Sequence, residues 1–472
     1  MRNYLGLDVG TTTVTAIVVD AVGGDVVGKA TAPNDAETTS AEDRRLGRSE
    51  WDPNRILSIA RDVLREAASD REVAAVGVTG QMHGMLLVEE DGEPAGPFIG
   101  WQDQRAAEGE VSPLSELTRA VEETDGDGHV CRAKAGYLGA TLLWLKRSGN
   151  LTSGATACFL PDFLSAHLTS TQPVTDATNG AGSGLFDVAA RSWHTPLLDR
   201  LGFTPDLLPS VQASGSQAGT LSPGWSDTGL DTGIPVSVAC GDNQASFLGS
   251  VSDPENAVLI NVGTGGQVSV SADTADMGPG LEGRPHVDGK YILVGAGLVG
   301  GRTYAWLRDF YLAVGRDVFG VDGDGDAVYE RMTELAVEIQ SDVDGLTFEP
   351  LFTGTREDPA RRGLLTGIGT ANFSPGHLSR ALQQGVIDQF KGLYEQALAV
   401  GAGERSQLVG AGNGIRKNPV LRGIAETTFG MSMSIPRHTE EAAYGAAMLA
   451  MVLGGARKDL ADAREAIRYI ED

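Results

Sequence analysis

Two aspartates stand where apolar strands run out into glycine. Asp8 ends the run YLGLD and is followed by Val9-Gly10-Thr11-Thr12-Thr13. Asp242 follows VSVAC and Gly241 and precedes Asn243-Gln244. A carboxylate at such a place either caps the turn through backbone N–H groups or does chemistry. For Asp242 the chemistry is to accept the proton of an attacking hydroxyl, with Gly241 leaving room for a substrate to come close. The local sequence does not separate this role from a cap. For Asp8 it is to stand, in the outer coordination sphere, beside the Mg²⁺ that accompanies ATP. The turn after Asp8 favours that role. Gly10 and Thr11 to Thr13 offer backbone N–H groups and hydroxyls to one point, a nest for phosphate.

The same pattern returns about 250 residues later, too far away for a short-period repeat. Asn261-Val262-Gly263-Thr264-Gly265-Gly266 matches Asp8 to Thr13, again between an apolar strand and a second β-branched one. One Gly-Thr turn is weak evidence. Two related turns, one in each of two similar domains, give a nucleoside triphosphate a grip from each. A third turn, Gly410-Ala411-Gly412-Asn413, lets an adenine or ribose lie against backbone. Gln81-Met82-His83-Gly84 and Trp101-Gln102-Asp103-Gln104-Arg105 are polar and aromatic clusters at strand ends. Donors and acceptors beside an apolar ring suit a sugar. A core histidine and a structural tryptophan are the plainer account of the same residues.

Composition narrows the classes. Acidic residues number 63 against 37 basic, a net charge of −26 over 472 residues. Such a surface repels nucleic acid and anionic membrane, so neither is an expected partner. No apolar run reaches the roughly 18 residues of a transmembrane helix. The start, MRNYLGLDVG, lacks a secretory apolar region, so the expected location is cytoplasmic. Cys131, Cys158 and Cys240 are far apart, with no CxxC pair, and read as buried thiols. Gly23 to Ala30 approaches a Walker A loop but ends in Ala and lies in a hairpin. Gly295-Ala296-Gly297-Leu298-Val299-Gly300 fits GxGxxG and carries a rival reading, an NAD(P)-dependent oxidoreductase. No βαβ unit continues from it.

Periodicity supplies the elements that position these residues. The first segment reads as a β-meander. Residues 53–68 read as a helix burying Ile56, Ile59, Ala60, Val63 and Leu64. Residues 73–84 read as a buried strand running into a turn, and 106–130 as an acidic surface excursion. Further helices are expected at 137–149, 418–429 and 440–453. The internal echo divides the chain into two similar α/β domains, 1–247 and 248–472.

Taken in order, GLDVGTTTVTAIVVD, GQMHG, GDNQAS (241–246), INVGTGG (260–266), GGRTYAWLRD (300–309), GAGNGIRKNPVLRG (410–423) and EEAAYGAAMLA resemble the FGGY family of carbohydrate kinases over nearly the full length. The resemblance implies an α/β fold of two actin-like ATPase (ribonuclease H-fold) domains with an interdomain catalytic cleft that closes to exclude water. The first domain then binds sugar and phosphate, the second the nucleotide. It implies a kinase using ATP and Mg²⁺ on the terminal hydroxyl of a sugar, with Asp242 as base and Asp8 near the metal. The implied sugar site is Gln81, Met82, His83, Trp101, Asp103, Asn243 and Gln244. The implied nucleotide site is Thr11, Thr12, Thr13, Gly263, Thr264, Gly265, Gly301, Gly412, Asn413 and Asn418. GQMHG is similar to the ketose kinases. WQDQR, GDNQAS and residues 350–389 are similar to the sedoheptulose branch, and VTDATNGAGSGLFD (174–187) to the xylulose branch. The expected reaction is sedoheptulose to sedoheptulose 7-phosphate, with xylulose or another pentulose as the alternative. The expected partners are a ketose and Mg-ATP, with a homodimer left open. The rival from another class is a non-catalytic actin-like sugar-binding protein, against which the presence of both Asp8 and Asp242 argues.

Overall fold

The computed structural model describes residues 2–471 except 127, 131, 132, 276–279, 299, 353, 355–357 and 359, with 296–298 as backbone only. Cys131 and five positions within 350–389 therefore lie outside the described residues. The first hairpin sets the frame. β1 (Asn3–Val9) and β2 (Thr13–Asp20) pair antiparallel, and β3 (Val26–Pro33) extends the meander. Val14 to Val19 are all buried, so the sheet needs a cover on each face. α1 (Pro53–Ala68) is one cover. Asp52 caps it by accepting the Asn54 N–H at 2.9 Å, and the expected face from Ile56 to Leu64 is buried in the core. β4 (Val73–Gly80) lies parallel to β1. α2 (Leu138–Ser148) ends at Gly149, whose φ of 73° suits glycine. β5 (Gln217–Thr220), β6 (Pro235–Ser237) and β7 (Cys240–Gly241) complete a sheet ordered β5-β6-β4-β1-β2-β3, with β7 also on β4. α3 (Asp242–Ser250) follows directly.

The acidic stretch 106–130 is not a bare surface excursion. It holds a helix, Pro113–Thr124, capped by Ser112. Leu117 and Ala120 are buried in one cluster with Leu138 and Leu142 of α2, while Arg119, Glu122 and Glu123 face water. An i, i+3 apolar pair is a narrow stripe, easily hidden among charges.

β8 (Ala257–Val262) and β9 (Gly266–Ala272) repeat the hairpin, and β10 (Tyr291–Leu298) adds antiparallel to β9. After α4 (Gly301–Phe319) and α5 (Pro375–Ala399), β11 (Gln407–Ala411) lies parallel to β8. α6 (Pro419–Phe429) and β12 (Met433–Ser434) follow. The echo in sequence is thus an echo in topology. Asp8 pairs with Thr15 and Thr79 just as Asn261 pairs with Gln267 and Ala411. Phe390, Tyr394 and Ile424 are buried with Val258, Ile260 and Val268. The strand carrying Gly295 and Gly297 runs antiparallel to β9. A dinucleotide fold needs it in a parallel βαβ unit, so that rival reading loses its support.

The chain falls into two compact units. One is Met1–Ser252 with Arg284–Lys290 and Glu440–Arg468; the other is Asp253–Gly283 with Tyr291–Thr439 and Tyr469–Asp472. A single cut near 247 leaves out both returns of the chain to the first unit. The second return is α7 (Glu441–Leu453), whose small residues let it lie at backbone distance. A Cβ on Gly6 of β1 would come 1.8 Å from the Ala443 carbonyl oxygen, and one on Gly77 of β4 would come 1.9 Å from that of Ala446. Among the described residues no helix is long and apolar enough to cross a membrane.

These contacts predict opposite outcomes for two Gly→Ala changes. Gly6→Ala must push α7 away and should cost about 1–3 kcal/mol or more, read as a lower urea midpoint. Gly423→Ala, in open space on α6, should raise the midpoint.

Candidate active site

Asp8 sits two strands from Asp242 in the first unit, since β1 pairs β4 and β4 pairs β7. Asp8 Oδ1 is buried without a hydrogen-bond partner. Withdrawal from water, and then the charges of Asp242 and Glu440, push its carboxyl up to about 8. Withdrawal from water also pushes Asp242 up, to about 6. The Asn243 backbone N–H, donating to Asp242 Oδ1 at 2.7 Å, and the charge of Arg284 oppose that rise. Asp242 ionises first, so Asp8 titrates against a standing negative charge. Two acids whose environments set their affinities apart are suited to acid–base work. Glu440 is ion-paired to Lys29 at 2.5 Å. A desolvated carboxylate oxygen with no donor and with anionic neighbours fits a divalent cation. Among the described residues no group of three His, Cys, Asp or Glu side chains is set to hold a metal. A magnesium ion bound through one carboxylate and substrate phosphates needs none.

The expected sugar and phosphate residues of this unit divide by exposure. Thr11, Thr12, Thr13, His83, Trp101, Asp242 and Asn243 reach the surface. Trp101 is 44% exposed, and its indole N–H donates to Thr11 Oγ1 at 3.2 Å. Thr11 in turn donates to Gln81 Oε1 at 3.0 Å. The Gly10–Thr13 turn and both polar clusters are therefore one hydrogen-bonded assembly. His83 has a φ of 80°, stacks on Tyr137 with ring centres 4.1 Å apart, and its Nδ1 lies 3.1 Å from the Gly182 oxygen. A bulky residue held left-handed is strained, and such strain collects at working sites.

Gln81, Met82, Asp103 and Gln244 are buried. Asp103 corrects the sugar-contact expectation. Its two oxygens accept from the Ser49 and Arg105 N–H groups and from the Arg105 guanidinium, each bond between 2.8 and 2.9 Å. With its acceptors taken up, it braces the segment that carries Trp101. Gln244 is not closed off in the same way, since its Oε1 is buried without a hydrogen-bond partner. It is fully buried and donates to the Pro285 carbonyl at 3.2 Å, behind Asp242.

In the second unit the structure gathers the turn at Gly263–Gly265, the start of α4 at Gly301 and the turn at Gly412. The Gly301 and Arg302 N–H groups, at the start of α4, donate to the carbonyls of Gly263 and Thr264 at 2.8 and 3.1 Å. Gly412, with φ of 81°, lies where a Cβ would be 2.6 Å from Asn261 Oδ1. Asn413 opens the short helix beside it. Gly263, Thr264, Gly265, Gly301, Gly412 and Asn413 are thus one neighbourhood. Asn418 is the N-cap of α6, its Oδ1 accepting the Leu421 N–H at 3.1 Å, a structural use for its side chain.

The family models for the N-terminal and C-terminal domains of FGGY carbohydrate kinases match residues 3–249 and 258–454. The chain belongs to the FGGY family of carbohydrate kinases. It is a phosphotransferase acting on a carbohydrate, and kinases of this family use ATP. It is 30% identical to human (Homo sapiens) sedoheptulokinase over 480 residues, covering 94% of this chain and 96% of that one. It is 31% identical to the glycerol kinase of Thermus brockianus, covering 97% and 91%. Among solved structures it is similar to the xylulose kinase of Rhodospirillum rubrum, with a TM-score of 0.86, 26% identity, and coverage of 100% and 93%. The fold is the two-domain actin-like ATPase fold of these kinases.

Three features of this FGGY kinase escaped the sequence. Arg284 donates to Asn243 Oδ1 at 3.1 Å from 41 residues away. Tyr137 backs His83. The Thr178 hydroxyl accepts the Gly241 N–H at 2.8 Å and donates to buried Asp176 at 2.7 Å, fixing the entry to α3. Only the last left a trace in the sequence, the Thr-Asp-Ala-Thr-Asn run at 175–179.

The carboxylates set a pH test. Asp8 holds its proton more tightly folded than unfolded, so its contribution to stability is full below about 4 and is lost as pH rises through about 8. Asparagine mimics the protonated form. Without nucleotide or metal, Asp8→Asn should melt above the parent protein at pH 8, with the gap closing near pH 4. Equal melting temperatures at both pH values would remove the strain assigned to Asp8.

Proposed function

We propose that this kinase transfers the γ-phosphoryl group of ATP to the terminal hydroxyl of a ketose, and that the ketose is sedoheptulose, yielding sedoheptulose 7-phosphate. The observation that carries the reading is Asp242, part-buried and with a pKa raised to about 6 by its withdrawal from water. It is ionised at neutral pH, yet more basic than an ordinary aspartate.

Trp101 offers an apolar platform to the sugar, with His83 and Asn243 as polar contacts. Gln81 and Met82 support them from beneath. Asp242 takes the proton of the terminal hydroxyl as its oxygen bonds to the γ-phosphorus. The bond from that phosphorus to the β–γ bridging oxygen breaks, and ADP leaves. In the first unit Thr11 to Thr13 offer hydroxyls and backbone N–H groups to phosphate; in the second, Gly263, Thr264, Gly265, Gly301, Gly412 and Asn413 form the neighbourhood that receives the nucleotide. Magnesium, when bound near Asp8, neutralises charge on the β- and γ-phosphates. Because most of the acceleration in phosphoryl transfer is positioning, these residues act chiefly by fixing distances.

The choice of sedoheptulose is supported by likeness to human sedoheptulokinase across both chains and by the WQDQR and GDNQAS segments. A pentulose is the second reading, favoured by VTDATNGAGSGLFD and by likeness to the Rhodospirillum rubrum xylulose kinase structure.

The test is ADP release with Mg-ATP and sedoheptulose, D-xylulose, D-ribulose, L-ribulose, L-fuculose, glycerol or no sugar. Sedoheptulose should give the highest kcat/KM. Preference for xylulose transfers the reading to the pentuloses, and turnover with glycerol alone overturns both. Asp242→Asn should lose about 10²- to 10⁴-fold in kcat while still binding Mg-ATP in a fluorescence titration. A variant with near-parental kcat takes Asp242 out of the base role.

A further inference from the structure

Residues 284–290, Arg-Pro-His-Val-Asp-Gly-Lys, leave the second unit's stretch of sequence and seat themselves in the first. The seating is thorough. Arg284 Nη1 donates to Asn243 Oδ1 at 3.1 Å. The Pro285 carbonyl accepts from Gln244. His286 is 1% exposed, meets Phe247 of α3 edge to face at 5.4 Å, and has Nδ1 2.9 Å from Asp288 Oδ1. Asp288 Oδ2 accepts from Arg464 at 2.8 Å, and Arg191 donates to the Lys290 carbonyl at 2.8 Å. Every one of these partners belongs to the first unit, and three of them, Asn243, Gln244 and Phe247, lie in the first two turns of the helix that Asp242 opens.

We propose that Arg284 is a positioning and specificity residue of the sugar site, that it orients the Asn243 side chain and holds positive charge beside Asp242, and that residues 285–290 serve as its mount. This rests on the ketose-kinase reading above. A guanidinium carries donors only. It can hold only the oxygen end of the Asn243 amide, so which end of that amide is turned the other way is fixed. A lysine in its place keeps the charge but not the planar fork. The charge also opposes the withdrawal of Asp242 from water, keeping the base ionised. Asp288 and Arg464 act at one remove: their ion pair, with both side chains mostly buried, keeps the mount seated.

Steady-state kinetics of Arg284→Ala, Arg284→Lys and Arg464→Met decide it, varying ketose at saturating Mg-ATP and then the reverse. Arg284→Ala should lose about 10²- to 10³-fold in kcat/KM for the ketose, the scale of removing one preorganised donor, with KM for ATP unchanged. Added guanidinium ion should restore part of that loss, which a merely structural defect does not allow. Arg284→Lys should fall between the parent and the alanine variant, and it decides the matter if the alanine variant does not fold. Arg464→Met should raise the ketose KM by a smaller factor and leave that of ATP alone. If the parent protein turns over a ketose and Arg284→Ala or Arg284→Lys stays within twofold of it, the role of Arg284 is overturned and the kinase reading stands. The role is overturned likewise if the loss falls equally on both substrates and guanidinium does not reverse it. If the parent protein turns over no ketose, both fall together.

Discussion

The end of the first unit that carries Asp8 and Asp242 depends on α7 lying against the sheet with no side chain between. Gly6 and Gly77 bring backbone to backbone, and Gly445 repeats the arrangement against α3, where a Cβ would be 2.0 Å from the Ala245 oxygen. Packing this close leaves no slack for rotamers to absorb. β1 delivers Asp8, β4 leads into Gln81, and α3 begins at Asp242, so one helix holds the carriers of all three in register. Glu440, just before α7, adds its charge to the field at Asp8. This one helix thus fixes both the spacing of the two carboxylates and, through the residue before it, part of their electrostatics.

That field makes the apoprotein a strained host. Asp8 has an oxygen without a donor, and two of its charged neighbours repel it. Arg284 is the cation whose charge bears on Asp242. A site in this condition is stabilised by whatever brings positive charge to Asp8 without disturbing Asp242. Under the proposed function, affinity for a cation at Asp8 and basicity at Asp242 therefore come from the same burial. The turn after Asp8 adds the geometric side, since Thr11 is tied by hydrogen bonds to both Gln81 and Trp101, the residues proposed to support and contact the sugar.

Local pattern made much of this legible. Asp8 and Asp242 were readable because each ends an apolar strand beside glycine. The α1 face was readable from its spacing, and the two hairpins were recognisable as copies because strand, turn and strand recur together. What stayed hidden was contact at long range. Asp103 looks like a ligand-facing acid until its four donors are seen. Gln244 looks accessible until Pro285 covers it. The Pro113–Thr124 helix hid because only Leu117 and Ala120 of its narrow stripe are buried. Arg284 hid because nothing in GRPHVDGK signals that the chain has crossed back.

That crossing has a consequence in time. A ribosome makes β1 and β4 first, but the helix that covers Gly6 and Gly77 is encoded from residue 441 onward. Between Ser252 and Glu440, most of the chain that emerges belongs to the other unit. At about 5–20 residues per second, that interval is roughly 10–40 s. Through it the first-made sheet waits with a bare glycine-lined face, and the earliest residues of the protein are the last to be finished.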